Sequence, residues 1–499
     1  MNLSWGTMFE SAELGNSIDK ATFQAEVPAL RQDLLNAQFD LAQSARFQVI
    51  ILLSGADGSG KREVVHTLME WMDPRHIQTR AMGSPSEEER QRPEMWRFWR
   101  ILPPRGKIGI FFHSWYSAPV LKRVLGQTTD ADLDQSLDDI ARFEKMLTAE
   151  GALLLKIRLH ISKKKQEERL RKLEKNLKTR WRVTKDEWKH FELYDGFTIY
   201  TQRAIRRTST PEAPWIIVEG TDERYRSLTI GKVILEGLRA GPLTDQAMRP
   251  TRAAAMSKNP SADQHLLHAL DMSQHIPKPI YIQHLEKCQG QLNLLTRRRE
   301  FRNRSAIALF EGWDAAGKGG CIRRVIGSLD PRQYQIIPIA APTDEERAQP
   351  YLWRFWRNIP GHGQVTIFDR SWYGRVLVER VEGFCSEDDW MRAYGEINDF
   401  EDQLVRNDTI LVKFWLHISK DEQLVRFRER EKTGFKRFKI TEEDWRNRNK
   451  WDAYERAVGN MVDRTSTEIA PWTLVEANDK SFARVKVLKT LCERIGKAL

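Results

Sequence analysis

Residues 311–320, Glu311-Gly312-Trp313-Asp314-Ala315-Ala316-Gly317-Lys318-Gly319-Gly320, follow directly on an apolar run at 306–310 and lead into a helical stretch at 322–326. A short apolar strand that runs into GxxxxGK and then a helix reads as a phosphate-binding loop. Its backbone N–H groups turn inward around phosphate oxygens, the helix offers its positive N-terminus, and Lys318 adds a full charge. Gly312, Ala315, Ala316, Gly317 and Gly319 are therefore the expected phosphate-binding backbone. The hydroxyl that usually follows such a lysine and ligates magnesium is absent, because Gly319 stands there. The metal must be held by another residue.

Working outward, the apolar run at 365–368 predicts a second strand, which delivers Asp369 to the C-terminal edge of the sheet, where ligands of open α/β folds bind. Asp369 is the natural metal ligand. The stretch Asp369-Arg370-Ser371-Trp372-Tyr373-Gly374-Arg375 then supplies Arg370 and Arg375, cations that can stabilise a transferring phosphoryl group. Inside the loop, Asp314 would repel phosphates unless a metal intervenes or it addresses another group. Three readings stand for it: a magnesium ligand, a group orienting the acceptor's attacking oxygen, or a turn contact shaping the loop. The expected catalytic set is Asp314, Lys318, Asp369, Arg370 and Arg375, with Asp369 and Asp314 as metal candidates.

Beyond the strand at 410–416 lies a cation-rich helical stretch in which Arg426, Arg428, Arg430, Lys432, Lys436, Arg437 and Lys439 face only Glu429 and Glu431. It stands where kinases with such a loop carry a lid, and basic residues there close over phosphates and exclude water. Arg426, Arg430 and Arg437 are the lid candidates. Nucleic-acid binding by the same patch is the alternative, since neutralising a phosphate backbone needs similar charges. No zinc-finger spacing, RNP-type aromatic motif or recognition helix accompanies it.

The same pattern occurs twice. Gly55 matches Gly312 at an offset of 257, and the offset holds for Trp96-Arg97-Phe98-Trp99-Arg100 with Trp353-Arg354-Phe355-Trp356-Arg357 and for Ser114-Trp115-Tyr116 with Ser371-Trp372-Tyr373. It holds again for Leu159-His160-Ile161-Ser162-Lys163 with Leu416-His417-Ile418-Ser419-Lys420 and for Ala213-Pro214-Trp215 with Ala470-Pro471-Trp472. Units of this length are tandem domains rather than solenoid repeats. The expected division is a first domain at 1–245, a linker at 246–279 and a second domain at 280–499. Apolar runs at 47–53, 108–112, 153–159 and 215–218, and their partners in the second copy, alternate with helical stretches, which predicts parallel sheets flanked by helices. The doubled WRFW, an aromatic stripe at helical spacing, reads as core.

The first copy is an internal control. It keeps Gly55, Asp57, Gly60 and Lys61, but Phe112 and His113 stand where Asp369 and Arg370 do, Ala118 replaces Arg375, and Arg62 replaces Gly319. With no carboxylate to anchor a metal it is expected to be inactive, although its loop can still bind phosphate.

Composition sets the outer bounds. At 40% hydrophobic and 30% charged residues the chain is globular rather than disordered. No apolar run approaches the roughly 18 residues a membrane helix needs, and the N-terminus lacks the basic and apolar regions of a signal peptide, so the expected location is the cytoplasm. Cys288, Cys321, Cys385 and Cys492 have no metal-ligand spacing and read as reduced core thiols. A net charge of +11 points to an anionic partner: nucleic acid, lipid headgroups or a phosphate polymer.

Together, Gly-x-Asp-x-x-Gly-Lys at 312–318, Asp-Arg-Ser-Trp-Tyr at 369–373, the segment 342–356 with its acidic pair and WRFW, and the basic lid resemble the polyphosphate kinase 2 family, in particular its two-domain class. The resemblance runs twice through nearly the whole chain. It implies an α/β fold of two tandem P-loop kinase-like domains, each a mainly parallel sheet with a helical lid. It also implies a magnesium-dependent transfer of a phosphoryl group from inorganic polyphosphate to AMP, giving ADP. No nucleic-acid or membrane partner is expected, and a homo-oligomer is compatible. An ATP-dependent nucleotide kinase and a non-catalytic polyanion binder are the competing readings.

Overall fold

The computed structural model describes residues 8–243, 265–434 and 440–499. The chain divides into two compact units, one made of Met1–Ser84, Arg97–Arg252 and Thr343–Tyr351, the other of Pro85–Trp96, Ala253–Pro342 and Leu352–Leu499. Much of the segment expected as a linker, 246–264, lies outside the described residues, and a helix, Lys278–Thr296, begins at its far end.

In the first unit β1 (Val49–Gly55), β2 (Ile77–Arg80), β3 (Ile108–Phe111), β4 (Leu153–His160) and β5 (Trp215–Glu219) form a parallel sheet in the order β2-β3-β1-β4-β5. In the second, β6 (Ser305–Gly312), β7 (Tyr334–Pro338), β8 (Val365–Asp369), β9 (Thr409–His417) and β10 (Trp472–Glu476) repeat it as β7-β8-β6-β9-β10, again all parallel. The central strands are covered on both faces by helices, so β4 and β9 are buried along their whole length and are mostly apolar, with Lys156 and Lys413 among the buried charges they carry. In each unit the chain leaves the central strand toward one edge and later returns to its other side. That reversal opens a crevice at the C-terminal ends of the strands, where the phosphate loop sits.

Eight of the ten strands coincide with the apolar runs. The two that do not, β2 and β7, are edge strands with most of their residues exposed or half-buried, and their sequences, IQTR and YQIIP, carry no continuous apolar stretch. Both helices after the loops start at the loop lysine, as Lys61–Trp71 and Lys318–Ile326, a turn or so before their apolar periodicity begins. The second WRFW forms a one-turn helix, Trp353–Trp356, whose rings are 5% exposed or less, with Trp356 edge-on to Phe400 at 4.8 Å.

The repeated Ser-Trp-Tyr is explained by packing. In the second unit Lys413, wholly buried on β9, donates to Glu401 Oε2 (2.6 Å), to Tyr373 Oη (2.9 Å) and to the Thr465 carbonyl (2.7 Å). Tyr373 Oη and Trp372 Nε1 both donate to Glu401 Oε1, at 2.6 and 3.0 Å. Lys156, Glu144, Tyr116, Trp115 and Thr208 make the corresponding bonds in the first unit, apart from the lysine-to-tyrosine one. A buried ion pair tied into this many hydrogen bonds fixes the strand-to-helix geometry behind the crevice. Its presence in both copies makes it part of the fold rather than of the chemistry.

Three of the four cysteines are buried, Cys385 is half-buried, and all four are free thiols. Among the described residues no helix is long and apolar enough to cross a membrane.

Candidate functional site

β6 ends in Gly312, and this position tolerates nothing larger: its φ is +150°, and a Cβ there would come within 2.5 Å of the Leu416 carbonyl oxygen of β9. The loop then turns through Ala315 (φ +64°) and Gly317 (φ +108°) into the helix. Ala315 is a non-glycine residue in the left-handed region, where the first unit has Gly58. Such strain persists only where the surroundings impose it. The surroundings here are Arg426 and Gln423 of the helix Lys420–Lys432.

Arg426 is 3% exposed, and its five N–H donors are all engaged. Nε pairs with Glu422 (2.6 Å), Nη1 donates to the Ala315 and Ala316 carbonyls (2.9 and 3.1 Å), and Nη2 to those of Ala477 and Asn478 (2.7 and 2.8 Å). Gln423 Nε2 reaches the Asp314 carbonyl at 3.1 Å. Arg426 was expected in a lid over the phosphates; it is instead a strut behind the loop, because backbone carbonyls saturate its fork. Arg430, one turn on, is half-buried and close enough for its charge to act on Arg426. Arg437, Lys436 and Lys439 lie outside the described residues.

Lys318 is folded back over the loop, donating to the carbonyls of Gly312 (2.7 Å) and Trp313 (3.3 Å). Burial lowers its pKa, with the Asp314, Asp369 and Glu311 carboxylates opposing that shift and Arg370 adding to it. The charges of Asp369, Asp314 and Arg370 thus all reach the loop lysine. Asp369 lies opposite Phe310 in the β6–β8 ladder, and the next residue, Arg370, donates its backbone N–H to the Phe310 carbonyl at 3.0 Å with φ at +65°. This second strained residue turns the chain so that Arg370 Nη2 lies 3.3 Å from Asp314 Oδ1. Burial works against the Arg370 charge, but Asp314, Glu311, Glu443 and Asp369 outweigh it and raise its pKa.

The remaining expected residues are placed as follows. Asp314 carries Arg370 on one oxygen and the Asn447 side-chain amide on the other, at 2.9 Å. Arg375, half-buried in the last turn of the short helix Trp372–Val376 that follows Asp369, is held by Glu379 (3.1 Å) and Asp389 (4.0 Å). Gly319 lies open, with no atom near an added Cβ. Among the described residues nothing donates to the half-buried Asp369 carboxylate.

Magnesium is characteristically held by one or two carboxylates together with substrate phosphates. A carboxylate without a protein donor at the lip of a phosphate loop fits that pattern, and Asp314, with lone pairs left beyond its two partners, fits as its companion. Among the described residues there is no cluster of three or more His, Cys, Asp or Glu that would hold a metal alone.

Two residues escaped the sequence reading. Glu311, buried on β6, accepts from Ser371 Oγ at 2.7 Å; burial pushes its pKa up, and Ser371, Lys318 and Arg370 resist the shift. Asn447 is the other. Both positions differ between the copies, with Ser54 and His190 as the counterparts, so comparing the repeats residue by residue carries the missing signal.

The first unit shows what depletion does. Lys61 bends back onto the Gly55 and Ala56 carbonyls and pairs weakly with Asp57 at 3.9 Å. The Phe112 ring, where Asp369 stands in the other copy, lies 5.7 Å from Lys61 Nζ. His113 turns its Nδ1 to the Met82 carbonyl, and burial lowers its pKa. Asp57 pairs with His190 Nδ1 at 2.9 Å.

The family described as polyphosphate kinase 2 (PPK2) matches residues 17–244 and again 275–498. A polyphosphate:AMP phosphotransferase of Pseudomonas aeruginosa is 58% identical over 98% of this chain and 99% of its own length. Another, of Pseudomonas syringae pv. tomato, is 53% identical over 98% of this chain and 99% of its own length. The crystal structure of a polyphosphate kinase 2 from Pseudomonas aeruginosa superposes with a TM-score of 0.89 at 57% identity, covering 98% of this chain and 99% of that one.

Proposed function

The chain belongs to the polyphosphate kinase 2 family, and on that premise we propose that it is a transferase moving the terminal phosphoryl group of inorganic polyphosphate to AMP, giving ADP, at the phosphate loop of its second unit. The observation that carries the reading is the contrast between the copies. One fold twice builds the same loop, but only the second surrounds it with Asp369, Arg370 and an Arg370–Asp314 ion pair.

Transfer between phosphates passes through a loose, in-line transition state that asks for positioning and charge neutralisation more than covalent help. The amides of Gly312, Ala315, Ala316, Gly317 and Gly319 and the Lys318 ammonium hold the donor phosphates. Lys318 exchanges its carbonyl partners for phosphate oxygens, which restores the charge that burial disfavours. Arg370 neutralises the group in flight, while Asp314, fixed by Arg370 and Asn447, orients the acceptor. Arg375 keeps the Asp369-to-Tyr373 turn in place from behind, and Arg430 and Arg437 close over the donor chain. Magnesium would be held by Asp369 with Asp314 and would supply positive charge that neutralises the reacting phosphates. The first unit, residues 1–245 in this reading, has no turnover of its own. Four free thiols agree with a cytoplasmic setting.

The decisive experiment supplies AMP and magnesium with polyphosphate or ATP as sole donor. ADP formed with polyphosphate and not with ATP is the expected result. Turnover with ATP alone, or tight RNA binding with no transfer to any nucleotide, would replace this reading by a nucleotide kinase or a polyanion binder.

A further inference from the structure

Near Asp314 lies a set of four polar residues, three of which have apolar counterparts in the first copy. Glu382, Asn447, Lys450 and Tyr454 of the second unit correspond, 257 positions earlier, to Leu125, His190, Leu193 and Phe197. In the second unit they form a connected set. Asn447 donates to Asp314 Oδ2 at 2.9 Å, and Tyr454 Oη donates to Asn447 Oδ1 at 3.2 Å. Glu382, at the end of the short helix Val378–Glu382, pairs through Oε2 with Lys450 Nζ at 2.9 Å and with Arg446 Nε at 3.2 Å. Burial chiefly raises the Tyr454 pKa, and the Glu382 and Asp314 charges add to it against Arg370, so all four groups share one neighbourhood.

Glu382 does not fit a merely structural ion pair. Its side chain is only 4% exposed, and among the described residues no donor reaches Oε1, which is buried. A buried carboxylate oxygen left without a donor is costly, and the first copy avoids that cost with Leu125. The two cations on Oε2 cancel the charge, so Glu382 does not repel an incoming phosphate, yet Oε1 keeps its appetite for a proton donor.

We propose that Glu382 Oε1 accepts a hydrogen bond from the nucleoside end of the phosphoryl acceptor, whose phosphate lies toward Arg370 and Lys318, and that Glu382 thereby determines which nucleotide is accepted. This rests on AMP being the acceptor. AMP offers two kinds of donor, the adenine 6-amino group and the ribose hydroxyls. A 6-oxopurine presents an acceptor at the first position and would face the carboxylate with a lone pair.

The test compares the full-length protein with E382Q and E382L, the latter carrying the side chain of the first copy, using polyphosphate, magnesium and AMP, GMP, 2′-deoxyAMP or 3′-deoxyAMP. Loss of a hydrogen bond to a charged group should raise KM for AMP by about 10- to 100-fold, with kcat changing by less than about threefold. If the amino group is the donor, the preference for AMP over GMP collapses and the deoxy ratios stay; if a ribose hydroxyl is, the matching deoxy ratio collapses instead. An unchanged KM with all ratios preserved, or a fall in kcat alone, would overturn the proposal. Should E382L not fold, E382Q fills the same volume and carries the comparison. Failure of the underlying reading looks different, since the unaltered protein would then make no ADP from polyphosphate and AMP.

Discussion

Asp369 lies opposite Phe310 in the parallel ladder of β6 and β8, so the carboxylate leaves its strand beside the loop that opens two residues after Phe310. In the first unit Phe112 follows the homologous strand, and an apolar ring lies toward Lys61. Asp369→Asn keeps shape and removes charge; it should lower kcat by about 10²- to 10³-fold, the range for one charge-stabilising group, and Lys318→Ala should do at least as much. Lys61→Ala should leave most of the activity. Steady-state rates with circular dichroism as a check on folding decide it, and equal losses from Lys61→Ala and Lys318→Ala would defeat the one-site assignment.

Arg426 supports a prediction of a different kind, because its donors hold carbonyls of the loop and of residues 477–478. Arg426→Lys keeps the charge but loses the fork. We expect kcat to fall about tenfold or more as the strained Ala315 relaxes, while the dependence of polyphosphate KM on salt stays as it was. A salt slope lower by about one unit, with kcat intact, is the signature of a direct phosphate contact and would return Arg426 to the lid.

How far the sequence carries can be judged at these residues. The loop, the strand that delivers Asp369 and the duplication are legible, since they are local patterns or a fixed offset. Arg426 is misread because its sequence neighbours are a run of charges, and nothing in that run tells a solvated arginine from one whose two terminal nitrogens are taken by backbone carbonyls 51 to 111 residues away in sequence. Ser-Trp-Tyr shows why position alone does not assign a role. It stands beside Asp369, yet it recurs in the depleted copy because its Trp and Tyr supply the hydrogen bonds that Glu144 and Glu401 accept. The edge strands β2 and β7 leave no trace because an edge with little burial needs no apolar run.

Those two buried networks should behave alike, unlike the catalytic residues. Glu401→Gln and Glu144→Gln each strand a buried lysine, and breaking a buried pair from one side costs about 3–5 kcal/mol. Replacing both partners, as in Glu401→Leu with Lys413→Met, should cost less than either single change, a coupling that denaturant unfolding of the double-mutant cycle would reveal. Additive losses would mean that the pair is not coupled as its geometry implies.

Lys61 offers a pH signature confined to the first unit. Burial is the main cause that brings its pKa from 10.5 down to about 8, against the pull of Asp57. The folded state then holds fewer protons than the unfolded chain between about pH 8 and 10.5, so stability rises with pH across that window. Below it, both states carry the proton, and the buried ammonium weakens the fold by about 3 kcal/mol at 1.36 kcal/mol per unit. Lys61→Met removes the titration. Relative to that variant, the unaltered chain should gain about 2–3 kcal/mol between pH 7 and pH 10 in urea unfolding. A parallel pH dependence of the two would show that Lys61 keeps an ordinary proton affinity. Added phosphate that shrinks the gap at pH 7 would show an anion answering the buried charge, the one function the depleted loop still has the chemistry to perform.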